Sequence, residues 1–405
     1  MEWVTKSVGN TCSLATGGTP SRAKPEYFEG GGIKWLVSGD IHQKEIFDCN
    51  GRITELGLQN SNARYLPKNS VMIALNGQGK TRGTVSILRT EATCNQSLVS
   101  ICPNNTDELL PEFLYINLHG RYEEIRRMTG DDGNDRRGLN MPLIRSIQIP
   151  LPPTPEQQRI VAILDQTFAD IEKARANAEK NLKNARELFD SYLNQVFSQR
   201  GEGWVEKPLG DVICKTHTKD PRKNPELKFL YVDVSSVSNT TLEITEATEL
   251  LGKDAPSRAR RVISEGNVIF ATVRPTLKRI AIVPNRLDGE ICSTGYFVFK
   301  TSDELNNRYL YYFLQSYCFM GEMEKLQSGA SYPAVNDSQV KQTIIKYPSI
   351  IEQQSIVASL DKLSMEVQQL EKGYQEKLTS LGELKKSLLQ KAFSGELTKT
   401  EGHAA

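Results

Sequence analysis

Apolar residues follow two different rhythms along the 405-residue chain. In one stretch they recur every three or four positions: Ile160, Leu164, Ile171, Ala174, Ala178, Leu182, Ala185, Leu188, Tyr192 and Val196. A second stretch repeats the spacing with Ile356, Leu360, Leu363, Val367, Leu370, Tyr374, Leu378, Leu381, Leu384, Leu388 and Ala392. This is the period of a helix with one apolar face. Elsewhere the apolar runs are short and bounded by turn residues, as strands are.

The ends of the helical stretches are marked by local chemistry. Leu151-Pro-Pro-Thr-Pro155 stops a strand-like run at Ile147 and Ile149. It then offers Thr154 as a cap, Pro155 at the first helical position and Glu156 at the positive end. No proline or glycine follows before Gly201, so residues 155–199 are expected as one helix of about 45 residues, or ~65 Å. Gly395 marks the end of the second helix. The seams step nearer 3.6 than 3.5 residues, which predicts a fairly straight pair. A domain of about 145 residues is only ~30–40 Å across. Such a helix must project beyond its own domain, and its copy is the nearest partner.

The chain is written twice. Glu156-Gln-Gln-Arg-Ile-Val-Ala-Ile-Leu-Asp165 returns as Glu352-Gln-Gln-Ser-Ile-Val-Ala-Ser-Leu-Asp361, eight of ten positions being identical at an offset of 196. The same offset pairs Asn140 with Asn336, Pro152 with Pro348, and Asp107-Glu-Leu109 with Asp303-Glu-Leu305. Near the beginnings, Trp3-Val4, Lys6 and Gly9 face Trp204-Val205, Lys207 and Gly210. The expected order is a globular domain over 1–150, a spacer helix within 151–202, a second domain over 203–347, a second helix within 348–398 and a tail over 399–405.

Both globular halves read as mixed structure, mostly strand and turn, with one helix each. In the first, Ile33–Val37, Ser70–Leu75 and Thr84–Leu88 are expected strands and Asp107–Leu118 the helix. In the second, Phe229–Val234, Asn267–Val273, Ile280–Val283 and Gly295–Lys300 are strands and Asp303–Tyr317 the helix. The fold class is therefore α+β: two mostly-β domains joined by two long antiparallel helices in an internal pseudo-two-fold repeat. Agreement between the halves is dense in the helices and sparse between residues 10 and 100. The halves should share a fold and present different surfaces.

Composition narrows the picture. A 38% hydrophobic and 24% charged content is that of a soluble globular protein. No apolar run approaches the ~18 residues of a membrane helix, and the first residues lack the basic flank and apolar stretch of a signal peptide. Seven scattered cysteines (12, 49, 94, 102, 214, 292, 318) include no C-x-x-C pair. They read as reduced thiols of a cytoplasmic protein. Neither they nor the four histidines have metal-ligand spacing.

Net charge is only +1, so a nucleic-acid face must come from local clusters. The first half offers Gln78, Lys80, Thr81 and Arg82, then Arg136 and Arg137. The second offers Arg258, Arg260, Arg261, Arg274 and Lys278. Lysine and arginine neutralise phosphates, and arginine pairs with guanine in bidentate fashion. Arg136 and Arg137 follow three aspartates that could instead occupy them.

Catalytic motifs do not survive inspection. Ala74-Leu-Asn-Gly-Gln-Gly-Lys-Thr81 resembles a phosphate-binding loop, but a β-branched run follows where a helix is needed. A hairpin is expected there. No methyltransferase signature, glycine-rich cofactor loop or Ser/His/Asp arrangement is present, so the chain reads as non-catalytic.

The repeat boundary carries a family resemblance. Pro152-Pro-Thr-Pro-Glu156-Gln-Gln-Arg-Ile-Val161, its echo at Pro348–Val357, the ending Ala392-Phe-Ser-Gly-Glu-Leu-Thr398 and the opening Gly17-Gly-Thr-Pro-Ser21 resemble the specificity subunits of type I restriction-modification systems. The resemblance covers nearly the whole chain. It implies that each globular half reads one half of a bipartite DNA target, which would be asymmetric because the halves differ. It also implies that the helices dock two modification subunits, through Glu156, Gln157, Gln158 and Arg159 and through Glu352, Gln353 and Gln354. Restriction subunits would join. S-adenosylmethionine, ATP and Mg would bind in those partners and none in this chain. A helical scaffold that assembles proteins without reading DNA is the alternative.

Overall fold

The computed structural model describes residues 3–77, 80–129, 138–199, 201–329 and 331–398. The chain divides into two units. One comprises Met1–Asn177 with Lys377–Ala405, the other Ala178–Glu376. Each long helix thus begins in one unit and ends in the other.

The two apolar periods produce two helices of 45 residues, Thr154–Ser198 and Ile350–Ser394. Each unit contains parts of both, and within each unit they run antiparallel. In the first unit Glu172 pairs with Lys385 at 3.2 Å, and Ile160 and Leu164 share a core with Ala392. In the second, Arg186 pairs with Glu371 at 2.6 Å, and Leu193 and Phe197 share a core with Val357 and Leu360. Gly395 follows the second helix at φ 79°, the left-handed conformation that ends helices cheaply only for glycine.

The expected seam departs from the structure in both helices: Leu370 and Leu384 of the second are exposed, and the end of the first is shifted. Leu188 and Tyr192 are 55% and 37% exposed, whereas Leu193 and Phe197 are buried. The reason is the company they keep. Over this last stretch the helix faces the aromatic Tyr309, Tyr312 and Phe313 of its unit, and Phe189, Leu193 and Phe197 form the face that meets them.

The first unit holds a five-stranded sheet in the order Cys12–Thr16, Leu98–Pro103, Val71–Ala74, Val85–Leu88, Glu45–Ile46. A smaller sheet orders Arg52–Ile53, Ile33–Leu36, Thr93–Cys94. The second unit has two four-stranded sheets. One orders Ile213–Cys214, Tyr296–Thr301, Val268–Ala271, Ile280–Ile282, the other Thr248–Leu251, Lys228–Val232, Ile291–Ser293, Ala259–Val262. In each unit an antiparallel ribbon leads into a long helix: Val4–Ser7 with Gln148–Leu151, and Val205–Pro208 with Ile344–Tyr347. The central strands Val71–Ala74 and Val268–Ala271 are wholly buried, which their unbroken apolar character dictates. Among the described residues no helix is long and apolar enough to cross a membrane.

The expectation of one helix per globular half is corrected. Among the described residues the first unit has five short helices, Val8–Thr11, Glu55–Gln59, Pro111–Gly120, Tyr122–Arg127 and Met141–Ser146, and the second has three, Asn307–Gln315, Tyr317–Leu326 and Asp337–Gln342. The expected single helix reaching Tyr317 stops because Ser316 is extended (φ −67°, ψ 156°). The repeated acidic-acidic-leucine triplets at 107–109 and 303–305 form the turns before these helices, with Leu109 and Leu305 in the cores.

The glycines of the opening motif have a steric purpose. A Cβ on Gly17 would lie 1.8 Å from the carbonyl oxygen of Cys94. Only glycine lets the chain pass so close to that strand.

Candidate DNA-recognition surface

The strand Val71–Ala74 returns as Val85–Leu88 in an antiparallel hairpin, as the β-branched sequence predicts. Among the described residues no helix follows Lys80-Thr81, where a phosphate-binding loop requires one. The connector carries the candidates Lys80, Thr81 and Arg82. Lys80 is exposed, with Thr81 and Arg82 half-buried. Tyr122 Oη donates to the Lys80 carbonyl at 2.8 Å, and Arg126 Nη1 donates to the Arg82 carbonyl at 3.1 Å. Thr81 Oγ1 lies 3.5 Å from His42 Nε2. A short helix therefore braces the loop from below. Gln78, Arg136 and Arg137 lie outside the described residues.

The equivalent hairpin of the second unit joins Val268–Ala271 to Ile280–Ile282. Arg274 and Lys278 flank its 3-10 turn Pro275–Leu277, at φ 49° and 51°. Non-glycine residues adopt this left-handed conformation at a cost of about 1 kcal/mol or more each. Arg274 is exposed and Lys278 half-buried. Arg258, also exposed, precedes the strand Ala259–Val262, and its carbonyl accepts from Thr294 N at 2.8 Å.

The five candidate cations of the second unit are not equivalent. Arg261 donates to both carboxylate oxygens of Asp337, at 2.9 and 2.7 Å, and its guanidinium lies 5.9 Å from the Phe297 ring centroid. Arg260 lies 3.3 Å from Asp220. Hydrogen bonds from Arg222, with Arg260 nearby, hold the Asp220 carboxyl down at about 2, so it stays ionised and keeps Arg260 engaged. Arg260 and Arg261 thus have internal partners, while Arg258 and Arg274 have no carboxylate partner among the described residues.

The expected docking residues also divide. Gln157 and Gln353 are fully buried and correct the sequence reading. Gln157 Oε1 accepts from Leu110 N at 2.9 Å, and its Nε2 donates to the carbonyls of Glu108 and Pro152 at 2.7 and 2.9 Å. Gln353 makes the matching set with Asn306, Glu304 and Pro348. Both amides are spent on an internal lock between helix and turn. Gln158, Arg159, Glu352 and Gln354 are exposed and Glu156 half-buried. Glu352 accepts from the Trp204 indole at 3.2 Å.

One exposed residue escaped the sequence reading. Tyr332, 71% exposed, lies with its ring centroid 4.9 Å from the Arg274 guanidinium. The signal was available, because the offset of 196 sets Tyr332 against Arg136.

Known proteins agree with this architecture. The specificity subunit of the type I restriction enzyme MjaIX from Methanocaldococcus jannaschii is 24% identical over 424 aligned positions, covering 98% of this chain and 94% of that one. The EcoR124I/EcoR124II specificity subunit of Escherichia coli is 26% identical over 199 residues, 49% of this chain, and the match spans about half of that relative's length, 48%. A chain solved in work on complex assembly and conformational transition of the type I R-M system has the same fold, with a TM-score of 0.76 at 18% identity over 98% of both chains. The type I restriction modification DNA specificity domain matches twice, over residues 1–180 and 201–380. Two copies of that domain, in register with the duplication and with the two sheet-bearing units, place the chain in the type I restriction-modification specificity family.

Proposed function

We propose that this specificity-family chain reads a bipartite, asymmetric double-stranded DNA target, one unit per half-site. The observation that carries the reading is one fold presented twice with different loops. The hairpin connectors at 75–84 and 272–279 are equivalent in topology and unlike in sequence. A shared fold presents equivalent loops, and loop side chains reach base edges and phosphates. Unlike loops predict unlike half-sites.

In the same reading, the exposed residues at the helix starts dock two modification subunits: Gln158 and Arg159 on one side, Glu352 and Gln354 on the other. Arg159 has Ser355 as its counterpart, so the two docking sites differ. The partners bind S-adenosylmethionine and methylate adenine. Restriction subunits using ATP and Mg join them, and this chain supplies direction without catalysis. Each unit alone binds DNA weakly, and tethering raises the affinity through effective concentration.

The test is replacement of residues 204–347 by the corresponding domain of another family member, followed by methylome sequencing. One half-site should change and the other stay. A change in both half-sites would sink the modular reading. Gel shifts across salt concentrations, with and without a modification subunit, separate DNA reading from a purely protein-assembling role. Assembly that ignores both salt and DNA would favour the latter.

A further inference from the structure

A large ring with most of its surface in water does little for a core, and Tyr332 is 71% exposed. Its loop is nevertheless held firmly. Ser328 and Ala334 exchange backbone hydrogen bonds at 3.0 and 2.9 Å. The loop is then fastened to the hairpin connector: Arg274 N donates to the Pro333 carbonyl at 2.7 Å, and Val335 N to the Thr272 carbonyl at 3.0 Å. The same connector places the Arg274 guanidinium over the ring.

A third segment joins them. Thr272 N donates to the Gly295 carbonyl at 2.8 Å, and the neighbouring Thr294 bonds the Arg258 carbonyl. Three exposed side chains, Arg258, Arg274 and Tyr332, therefore stand on segments knitted together by backbone hydrogen bonds. Two are cations without a carboxylate partner among the described residues, and the third is an aromatic with a hydroxyl. The cations suit phosphates or a guanine edge, while the ring suits a thymine methyl and its hydroxyl a base-edge donor or acceptor. The left-handed Arg274 and Lys278 fix the connector in a conformation that most sequences avoid.

The repeat adds an independent argument. Gly329 and Asn336 align with Gly133 and Asn140, so Tyr332 and Arg136 fall at one position of the sequence repeat. The flanks agree while the position between them changes chemistry, as a reading position should.

We propose that Tyr332, held by Arg274, is a specificity-determining residue of the second domain and contacts a base edge in the half-site that domain reads. The inference rests on the DNA-reading function above.

The test uses the full chain assembled with its modification subunits. Tyr332→Ala and Tyr332→Arg would be compared with the unaltered chain by methylation rates over a library of targets at fixed salt. Discrimination at one base pair of one half-site should fall or change by roughly 5- to 100-fold, with the other half-site unaffected. Unaltered base preference, including a uniform loss of rate on every sequence, would overturn the role of Tyr332. Absence of any preference in the unaltered assembly would overturn the DNA reading itself, and this proposal with it. Tyr332→His keeps a ring beside the guanidinium and is read in the same way should the alanine variant fail to fold.

Discussion

Gln353 locks the second long helix to Asn306: its Oε1 accepts the Asn306 backbone N–H at 2.8 Å, at a site with no access to water. Its Nε2 spans the carbonyls of Glu304 and Pro348, both at 2.9 Å. Buried polar groups cost most when one partner is removed and the other stays. Gln353→Leu leaves a donor and two acceptors stranded and should destabilise the chain by about 1–3 kcal/mol or more. Gln157→Leu should act similarly in the first unit. Gln354→Ala, at an exposed position, should stay within about 0.5 kcal/mol. Urea denaturation midpoints of the full chain decide it. Equal midpoints for Gln353→Leu and Gln354→Ala would show that the buried amide is dispensable.

The corrected seam makes a contrast available on one helix. Phe197 packs against Tyr309 and Phe313, with ring centroids 5.1 and 5.7 Å away. Phe197→Ala should cost about 3–5 kcal/mol, the range for emptying a buried aromatic site. Leu188→Ala, at a residue 55% exposed, should cost little. Thermal melts of the two variants would expose a misplaced seam if Leu188→Ala proved the more damaging.

Phosphate-type and structural arginines should separate in DNA binding. Arg258→Ala is expected to weaken binding on all sequences and to reduce the salt slope by about one unit. Arg261 is tied to Asp337, so Arg261→Ala should show first as a lower melting temperature. Affinity titrations from low to moderate salt, paired with melting curves, test the distinction. An unchanged salt slope for Arg258→Ala would remove it from the DNA surface.

The thiols should react by location. Burial pushes Cys12 up to about 11, and Cys94 and Cys292 up to about 12. Cys214 and Cys318 are exposed. Alkylation of the native chain at pH 8, read by mass spectrometry, should mark Cys214 and Cys318 and spare Cys12, Cys94 and Cys292. The stabilising effect of keeping the buried thiols neutral is fully present below the ordinary thiol value near 9. It is lost as pH rises from there toward 12, because the unfolded chain releases those protons first. Stability measured from pH 8 to 11 should therefore fall, and a flat profile would contradict this.

The sequence by itself determined the duplication, the two long helices and the main strands. Those features rest on local rules that need no tertiary contact: a 3.6-residue apolar period, the Thr-Pro-Glu start at 154–156, the glycine after Ser394, and β-branched runs between turn residues. Tertiary structure decided what a repeated or charged residue is for. Gln157 looked like a docking residue because repetition alone cannot separate a buried lock from an exposed contact. The seam beyond Ala185 moved because the last turns face an aromatic cluster whose position depends on the whole unit. Arg260 and Arg261 were absorbed by Asp220 and Asp337, the latter 76 residues away in sequence from Arg261. Tyr332 emerged because a loop and a hairpin connector, distant along the chain, share backbone hydrogen bonds. A charge's function depends on its distance to the opposite charge and on its access to water, and the chain fixes both only once it is folded.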